Sequence, residues 1–209
     1  MKIKALFKKN ENTIGVTFDD GQFLYLAYEI FLKNNLRTDK EITDEQYEQL
    51  IYENRIYFIK RSAFNFLGRR QHGEKELYLK LIKKGYEKKL VEEVLAELKE
   101  KELIDDEKFA RLYIEENMAR KMWGRKKAEA ELYKKGINGQ TVKKVLDEAC
   151  EGEDVLEQAK SALNKKLKTV KFSEENKDKI KMKLFRFLMA RGFDYGTASE
   201  AINSIEQGV

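Results

Sequence analysis

The spacing of apolar residues changes along the chain and divides it into two parts. The first part, residues 2–26, has the pattern of β-strands. Apolar and polar residues alternate over 2–7, whereas 13–18 is rich in β-branched and aromatic residues and 22–26 resumes an apolar run. Such runs are typical of strands, and the sequence Asp19-Asp20-Gly21 is a turn signal. This pattern predicts two or three short antiparallel strands. A hairpin of this size is not stable alone, so it should pack on the first helices.

Beyond residue 26 the apolar positions adopt helical spacing. A short helix is predicted over about 27–34. Thr43 and Gln46 have the spacing of a capping box, which predicts a helix from there through Glu53. Residues 55–67 continue as an aromatic-rich helix.

The rest of the chain contains an internal repeat marked by Gly85, Gly136 and Gly192. A leucine lies four residues before each glycine, and a large apolar residue follows each one. These pairs are Leu81 and Tyr86, Leu132 and Ile137, and Leu188 and Phe193. In a Schellman turn the glycine has a positive φ, and the next residue packs on the preceding helix. The spacing therefore predicts three copies of a helix, a glycine turn and a second helix.

Each copy also has an earlier helix, which makes a three-helix unit. The earlier helices are predicted at about 61–70, 106–121 and 154–168, with Asp105 or Asp106 as the N-cap of the second. Ser173 is the predicted cap of the middle helix in the third unit. The predicted fold is mostly α: three tandem three-helix repeats in an elongated curved array, with a small N-terminal β-hairpin or sheet plus helices. The predicted parts are 1–60 for the extension and 61–104, 105–150 and 151–209 for the repeats.

Composition favours thin helical modules over one thick core. Charged residues make up 38% and hydrophobic residues 42%, and proline is absent, so helix ends depend on glycine and polar caps. The net charge is +5. Residues 1–60 hold 9 Lys or Arg and 10 Asp or Glu, whereas 61–209 hold 33 and 27. The basic excess therefore belongs to the helical part and suits a polyanionic partner.

Basic clusters are the candidate binding residues. They are Arg69, Arg70, Lys75, Lys80, Arg120, Lys121, Arg125, Lys126 and Lys127. Lysines at helix C-termini, such as Lys83 and Lys134, are explained by the helix dipole. Arg125 to Lys127 open a helix, where the dipole disfavours cations, and they therefore favour an external anionic partner.

Catalytic and metal chemistry have little support, and we expect no catalytic residue, metal or cofactor. His72, the single histidine, is expected in a surface turn without a nucleophile beside it. Cys150, the single cysteine, is expected to be a partly buried apolar residue. The glycine spacing of 68–73 resembles a phosphate-binding loop, but Glu74 follows where lysine is required. Trp123 is expected to be buried against a neighbouring unit.

The protein is expected to remain in the cytoplasm. A lone cysteine excludes an internal disulfide and fits a reducing compartment. No apolar run approaches the roughly 18 residues of a membrane helix. The N-terminal apolar stretch is too short for a secretory signal.

Two stretches carry a resemblance to a known family. FLGRRQHGEKELYLKLIKKGY (66–86) and LIDDEKFARLYIEENMARKMWGRKKAEAELYKKGI (103–137) are similar to the two signatures of the RecX family of recombination regulators. The third repeat matches in pattern more than in identity. The N-terminal β segment resembles the extension of longer members. Gly73 stands where the family often has a serine-type helix cap, which should weaken that cap.

The resemblance implies a non-enzymatic regulator of recombination and DNA repair. Family members bind the RecA recombinase as a filament on single-stranded DNA and restrain its ATP hydrolysis, strand exchange and co-protease activity. Some also bind single- or double-stranded DNA directly, and a monomer suits a protein that lies in the filament groove. Two alternatives stay open: a stand-alone DNA-binding protein of the helix-turn-helix kind, and a helical-repeat scaffold with another partner.

Overall fold

A computed structural model describes residues 1–152, 154–169 and 177–206. In these ranges the chain forms three strands and ten helices, whose bounds are β1 Ile3–Asn10, β2 Thr13–Phe18, β3 Phe23–Ala27, α1 Tyr28–Lys33, α2 Asp44–Leu67, α3 Glu74–Lys83, α4 Lys88–Glu100, α5 Asp106–Lys121, α6 Arg125–Lys135, α7 Gly139–Ala149, α8 Val155–Leu167, α9 Lys177–Arg191 and α10 Tyr195–Glu206. The predicted fold class, a small β segment before helical repeats, is confirmed.

The chain divides into two compact units. One contains residues 1–71 and 77–104, and the other contains 72–76 and the chain from residue 105 onward. The first residues of α3 therefore belong with the second unit. Ser173, which was predicted to cap the middle helix of the third repeat, lies outside the described residues.

The N-terminal strands form an antiparallel meander in the order β1-β2-β3. Its inner face contributes Val16, Phe18 and Leu26 to a core shared with α1 and the start of α2. Buried Asn54 of α2 joins helix to sheet, because its amide nitrogen donates to the Tyr25 carbonyl and its oxygen accepts from the Ala27 N–H, both at 2.8 Å. These bonds hold the end of β3 on the helix.

Helix α2 is one helix of 24 residues, although the sequence predicted two. It begins with the predicted capping box, in which Thr43 and Gln46 exchange side-chain and backbone bonds. The side chain of Asn54 bonds to the strand backbone rather than to its own helix, and no glycine or proline interrupts the segment. The helix therefore crosses the predicted boundary at residue 60.

Each repeat has its own hydrophobic core. Leu77, Leu81 and Leu98 belong to the first, with Ile59 and Ala63 of α2 completing it. The second core lies among α5, α6 and α7, and the third among α8, α9 and α10. Because each set of three helices buries its own apolar face, the three-helix unit predicted from the glycine spacing is confirmed.

The three glycine turns have nearly the same backbone. The φ angles of Gly85, Gly136 and Gly192 are +88°, +87° and +87°. The Ile137 N–H donates to the Leu132 carbonyl at 3.1 Å, and the Phe193 N–H donates to the Leu188 carbonyl at 3.2 Å. These are the bonds of a Schellman turn, as the sequence predicted. At the first turn the Gly85 N–H donates to the Ile82 carbonyl at 2.9 Å, but the predicted bond from the Tyr86 N–H to the Leu81 carbonyl is not among the bonds of the described residues.

Two of these turns also lie where another repeat packs. A Cβ atom on Gly136 would lie 2.7 Å from the Lys75 Cβ at the start of α3. A Cβ atom on Gly192 would lie 2.6 Å from the Lys127 Cβ and 2.9 Å from its Cα at the start of α6. No atom of the described residues lies within 4 Å of the same position on Gly85. The same contact thus joins successive repeats, and Gly85 lacks it.

Acidic caps come from the start of α5. Asp105 is its N-cap and accepts from the Lys108 N–H at 2.9 Å. The neighbouring Asp106 accepts from the Glu74 N–H at 2.8 Å and so caps α3. A weakened cap was expected there because Gly73 has no side chain to supply. That expectation was wrong, since Asp106 supplies the oxygen from the next repeat.

Candidate functional site

The basic residues of the first repeat lie around the end of α2 and along α3. Arg69 is exposed just after α2, and the Arg70 guanidinium donates to the Gln71 carbonyl at 2.8 Å. The Lys80 ammonium lies 5.1 Å from the centre of the Phe66 ring, which is a cation–π contact. Lys75 is exposed, but its aliphatic stem packs on Gly136. Lys75 and Lys80 therefore each combine an apolar contact with a charged end group.

The end of α5 carries Arg120 and Lys121. Arg120 pairs with Glu116 at 3.2 Å on the surface of the helix. The Lys121 ammonium lies 4.9 Å from the centre of the Trp123 ring. Trp123 is buried, with 7% of its surface exposed, and it packs edge-on against Tyr113 at 5.9 Å. The expected burial of Trp123 is confirmed, so it is a packing residue rather than a free stacking platform.

Arg125 to Lys127 do not form the uncompensated cluster that the sequence suggested. The Arg125 guanidinium donates to the Leu146 carbonyl at 3.2 Å and to Asp147 at 2.5 Å. The Lys127 ammonium pairs with Glu131 at 3.0 Å. Acidic and carbonyl groups from the end of α7 and from α6 itself therefore offset the unfavourable dipole. Their position at the start of a helix therefore does not by itself indicate an external anion, and contact of this cluster with an anionic partner stays a prediction.

Unlike Arg125 and Lys127, the basic residues Lys126 and Arg69 are not used in ion pairs among the described residues. Both are exposed, and within the described ranges neither has a carboxylate at ion-pair distance. Lys126 lies in sequence between two paired cations but is itself exposed and has no ion-pair partner among the described residues. These two residues are the candidates whose positive charge is most available to another molecule.

Ion pairs set the electrostatics of the second repeat. Arg111 of α5 pairs with Glu107 and with Glu148 of α7, and Lys144 joins Glu107 at 2.8 Å. The hydrogen bond from Arg111, followed by that from Lys144, lowers the pKa of Glu107. The hydrogen bond to Asp147 raises the pKa of Arg125. These pairs hold helices together and keep their charged states at neutral pH.

A cavity of about 620 Å³ lies in the second unit between α5, α7 and α8. Its lining combines Arg111, Glu115 and Glu148 with apolar residues such as Met118, Trp123 and Phe193. Arg111 is already paired with Glu148 there. The cation of this lining is therefore already neutralised by a protein carboxylate.

His72 was expected in a surface turn, but only 2% of its surface is exposed. The turn packs against the start of α5, where a Cβ atom on Gly73 would lie 3.1 Å from the Phe109 ring. This packing explains the burial of His72. Cys150 is partly buried, as expected. No group of three His, Cys, Asp or Glu residues is placed to hold a metal within the described part of the chain.

An aromatic surface on the N-terminal sheet was not predicted. Phe7, Phe23 and Tyr25 lie together on the outer face of the sheet and are 46%, 44% and 40% exposed. The signal was present in the sequence, because residues 23 and 25 share one face of a strand. It was missed because the side-by-side placement of β1 and β3 depends on the register with β2.

Comparison with protein families gives three matches in the order of the repeats. The model of the first three-helix domain of RecX matches residues 60–98, that of the second matches 105–146, and that of the third matches 152–202. The third repeat, in which the sequence resemblance was least specific, is thus matched on its own.

Known relatives extend over nearly the whole chain. The chain is 32% identical over 202 residues to "Regulatory protein RecX" of Clostridium tetani, covering 95% of this chain and 90% of that protein. The protein of the same name from Chlorobaculum tepidum is 38% identical over 143 residues, covering 68% and 85%.

Two solved structures have a similar fold. A crystal structure of regulatory protein RecX has a TM-score of 0.67 at 18% identity and covers 97% of this chain and 98% of its own. A crystal structure of RecX from Lactobacillus salivarius has a TM-score of 0.58 at 23% identity and covers 74% and 99%. Within the described residues, no helix has both the length and the apolar character needed to cross a membrane.

Proposed function

Because the chain belongs to the RecX family of regulatory proteins, we propose that it binds a RecA recombinase filament on single-stranded DNA and restrains its activities. The match of all three repeats to the family's three domains carries this proposal. A protein with this role needs no catalytic centre of its own, because it changes the filament by binding to it.

The accessible basic residues support a polyanionic target. The helical part has six more basic than acidic residues, and many of its carboxylates are already used in ion pairs such as Glu107 with Arg111. Arg69 and Lys126 keep charges that the described residues do not neutralise. We propose that these two residues, with Lys75 and Lys121, contact DNA phosphates or acidic filament residues. Arg125 and Lys127 mainly stabilise the second repeat.

The proposed target also implies a cellular location and an oligomeric state. A target made of recombinase and chromosomal DNA places it in the cytoplasm. Binding along a filament does not require self-association, so a monomer is sufficient. The boundaries 61–104, 105–150 and 151–209 then separate three units that each contribute to contact.

ATP hydrolysis tests the proposal directly. Purified RecA is assembled on circular single-stranded DNA, and its steady-state ATP hydrolysis is followed as the full-length protein is added. We expect the rate to fall in a saturable manner. Unchanged hydrolysis at saturating protein contradicts the proposal. If bare DNA is bound tightly in the same buffer while hydrolysis is unchanged, the stand-alone DNA-binding alternative is favoured.

Reversing the charge of two lysines tests whether the candidate basic residues contact the filament. Lys121→Glu with Lys126→Glu should weaken the inhibition about tenfold or more, because each reversal replaces an attraction with a repulsion. Lys143→Glu with Lys165→Glu is a matched control, since it changes the net charge equally at exposed positions outside the candidate set. Equal loss in the two variants would show that net charge, and not this surface, governs binding.

A further inference from the structure

Three aromatic side chains form a continuous surface on the outer face of the N-terminal sheet. The Phe7 and Phe23 rings are nearly parallel, with an interplanar angle of 16° and centres 5.7 Å apart. Tyr25 is edge-on to both, with its centre 4.6 Å from that of Phe23. An exposed aromatic cluster of this kind is unusual on the surface of a protein and points to a binding site.

Gly15 determines how Phe7 is presented. In the sheet Phe7 pairs with Gly15 of the central strand, which pairs with Tyr25 of β3. A Cβ atom on Gly15 would lie within 2.7 Å of three Phe7 ring carbons. Such similar distances mean that one face of the ring lies flat over the glycine. Phe7 is still 46% exposed, so the part of the ring that Gly15 and Phe23 do not cover is open to a planar group.

One cation lies at these rings. Lys9 is on the same face of β1 as Phe7, whereas Lys4 and Lys8 alternate to the opposite face, and β2 and β3 contain no charged residue. The Lys9 ammonium lies 3.5 Å from the centre of the Tyr25 ring, which places a cation at the edge of the aromatic surface. The acidic residues Asp19 and Asp20 accept the backbone N–H groups of Lys2 and Gln22. This face of the sheet therefore combines aromatic rings with a cation.

We propose that this face of the sheet binds single-stranded DNA, with bases stacking on Phe7 and Phe23 and the Lys9 ammonium pairing with a phosphate. Unpaired bases offer planar faces next to a negative backbone, which matches both features of the surface. Duplex DNA does not fit, because its base faces are already stacked inside the helix. The proposal is independent of recombinase binding, since the sheet would contact DNA with no recombinase present.

Direct binding to an oligonucleotide tests the site. Fluorescence anisotropy measures the affinity of the full-length protein for a fluorescein-labelled 15-nucleotide oligo(dT) at low salt, without recombinase. Phe7→Leu with Phe23→Leu keeps apolar packing but removes the aromatic faces. We expect the Kd to rise about tenfold or more, because base–aromatic stacking contributes about 1–3 kcal/mol per base. Tyr133→Leu with Tyr195→Leu, at exposed aromatics outside the sheet, should change the Kd less than about twofold.

Two further measurements test the assignment by different means. Lys9→Gln should reduce the slope of log affinity against log salt by about 0.7, the value for one phosphate on a single strand. Oligonucleotides with 5-iododeoxyuridine should crosslink under ultraviolet light to peptides within residues 1–27 of the unmutated protein. The crosslinking does not depend on the folding of any variant.

Opposite results would overturn the proposal. They are an unchanged Kd in the folded Phe7 and Phe23 variant, crosslinks confined to the helical repeats, or a loss of duplex binding as large as the loss of oligo(dT) binding. Loss of filament inhibition with unchanged oligo(dT) binding would identify the sheet as a protein-docking face instead. Because recombinase is absent from the oligo(dT) assay, failure of DNA binding there leaves the proposed filament regulation to be tested separately by ATP hydrolysis.

Discussion

Gly192 of the third repeat lies directly against the backbone of Lys127 in the second, with the position of a Cβ 2.9 Å from the Lys127 Cα. Gly136 is approached by another repeat too, but by the side chain of Lys75 rather than by its backbone. Each glycine is therefore required for its positive φ and also for the close approach of another repeat. Gly85 is required only for its positive φ. Alanine substitutions at the three glycines should therefore differ in their effect on stability.

Alanine at the three turns should destabilise the protein to different extents. Gly85→Ala should lower the free energy of unfolding by about 1 kcal/mol, because only the positive φ is strained. Gly192→Ala should lower it by about 3 kcal/mol, since the methyl group also overpacks a backbone that cannot move aside easily. Gly136→Ala should lie between, because the nearest atoms there belong to the Lys75 side chain, which can move aside more easily than a backbone. Urea unfolding followed by circular dichroism measures the order, and equal effects would contradict the interface.

Asp106→Ala should destabilise the start of α3, although the mutated residue lies in α5. Loss of the capping oxygen leaves the Glu74 N–H without this acceptor and should lower the free energy of unfolding by about 1 kcal/mol. Faster hydrogen exchange at the Glu74 amide would locate the effect. Asp106→Asn keeps an acceptor oxygen and should retain most of the protection. If the two variants behave alike, the charge rather than the cap is responsible.

Arg125→Ala and Lys126→Ala should separate stability from binding. Arg125 links the start of α6 to the end of α7, so its loss should reduce the free energy of unfolding by about 1 kcal/mol. Lys126 has no such link, and Lys126→Ala should leave stability within about 0.5 kcal/mol. It should instead weaken filament inhibition. Thermal unfolding and ATP hydrolysis of both variants measure the two effects, and a reversed pattern would refute the division of roles.

Glu131 should make stability depend on pH below neutrality. Hydrogen bonds from Lys134 and Lys127 lower its pKa below the ordinary value of 4.5, and its side chain is 19% exposed. A lowered pKa in the folded state gives stability that is complete above the unfolded pKa and is lost as pH falls through the folded pKa. The stability difference between the unmutated protein and Glu131→Gln should therefore shrink below about pH 4.5. A difference that is constant from pH 7 to pH 3 would exclude this linkage.

Asn54→Ala should loosen the N-terminal sheet. It removes both side-chain bonds to β3 and leaves the buried Ala27 N–H without this acceptor, which should lower the free energy of unfolding by about 2 kcal/mol. Gln49→Ala, on the exposed side of the same helix, is the control and should have a small effect. Hydrogen exchange at the Ala27 amide would show the loss locally. Unchanged protection there would mean that Asn54 does not hold the strand.

Local signals in the sequence predicted much of the fold. Gly85, Gly136 and Gly192 identified the turns because a positive φ strongly selects glycine, and leucine at the fourth preceding position fixed the packing. Asp105 marked the start of α5 for a similar reason, since a side chain close in sequence supplies the hydrogen bond. Such features depend on residues within one helical turn and can be inferred without tertiary contacts.

Features that depend on distant residues were not predictable in this way. Arg125 looked uncompensated because Asp147, its partner, is 22 positions away. His72 was expected at the surface because its neighbours are polar, but packing of the next repeat buries it. The aromatic surface needed the strand register that brings Phe7 beside Tyr25. Charge compensation, burial and side-by-side placement all follow from tertiary structure.

The junctions at Gly136 and Gly192 depend on an absent side chain, and a Cβ on Gly124 would likewise lie 2.9 Å from the Gly192 carbonyl. They therefore constrain a few positions, with Asp106 among them, and leave most exposed positions free to diversify. Relatives could then replace most solvent-facing residues, including those that select a target, while their modules continue to stack in the same manner. Such a scaffold lets recognition evolve separately from assembly, which accounts for a shared architecture at 18% identity.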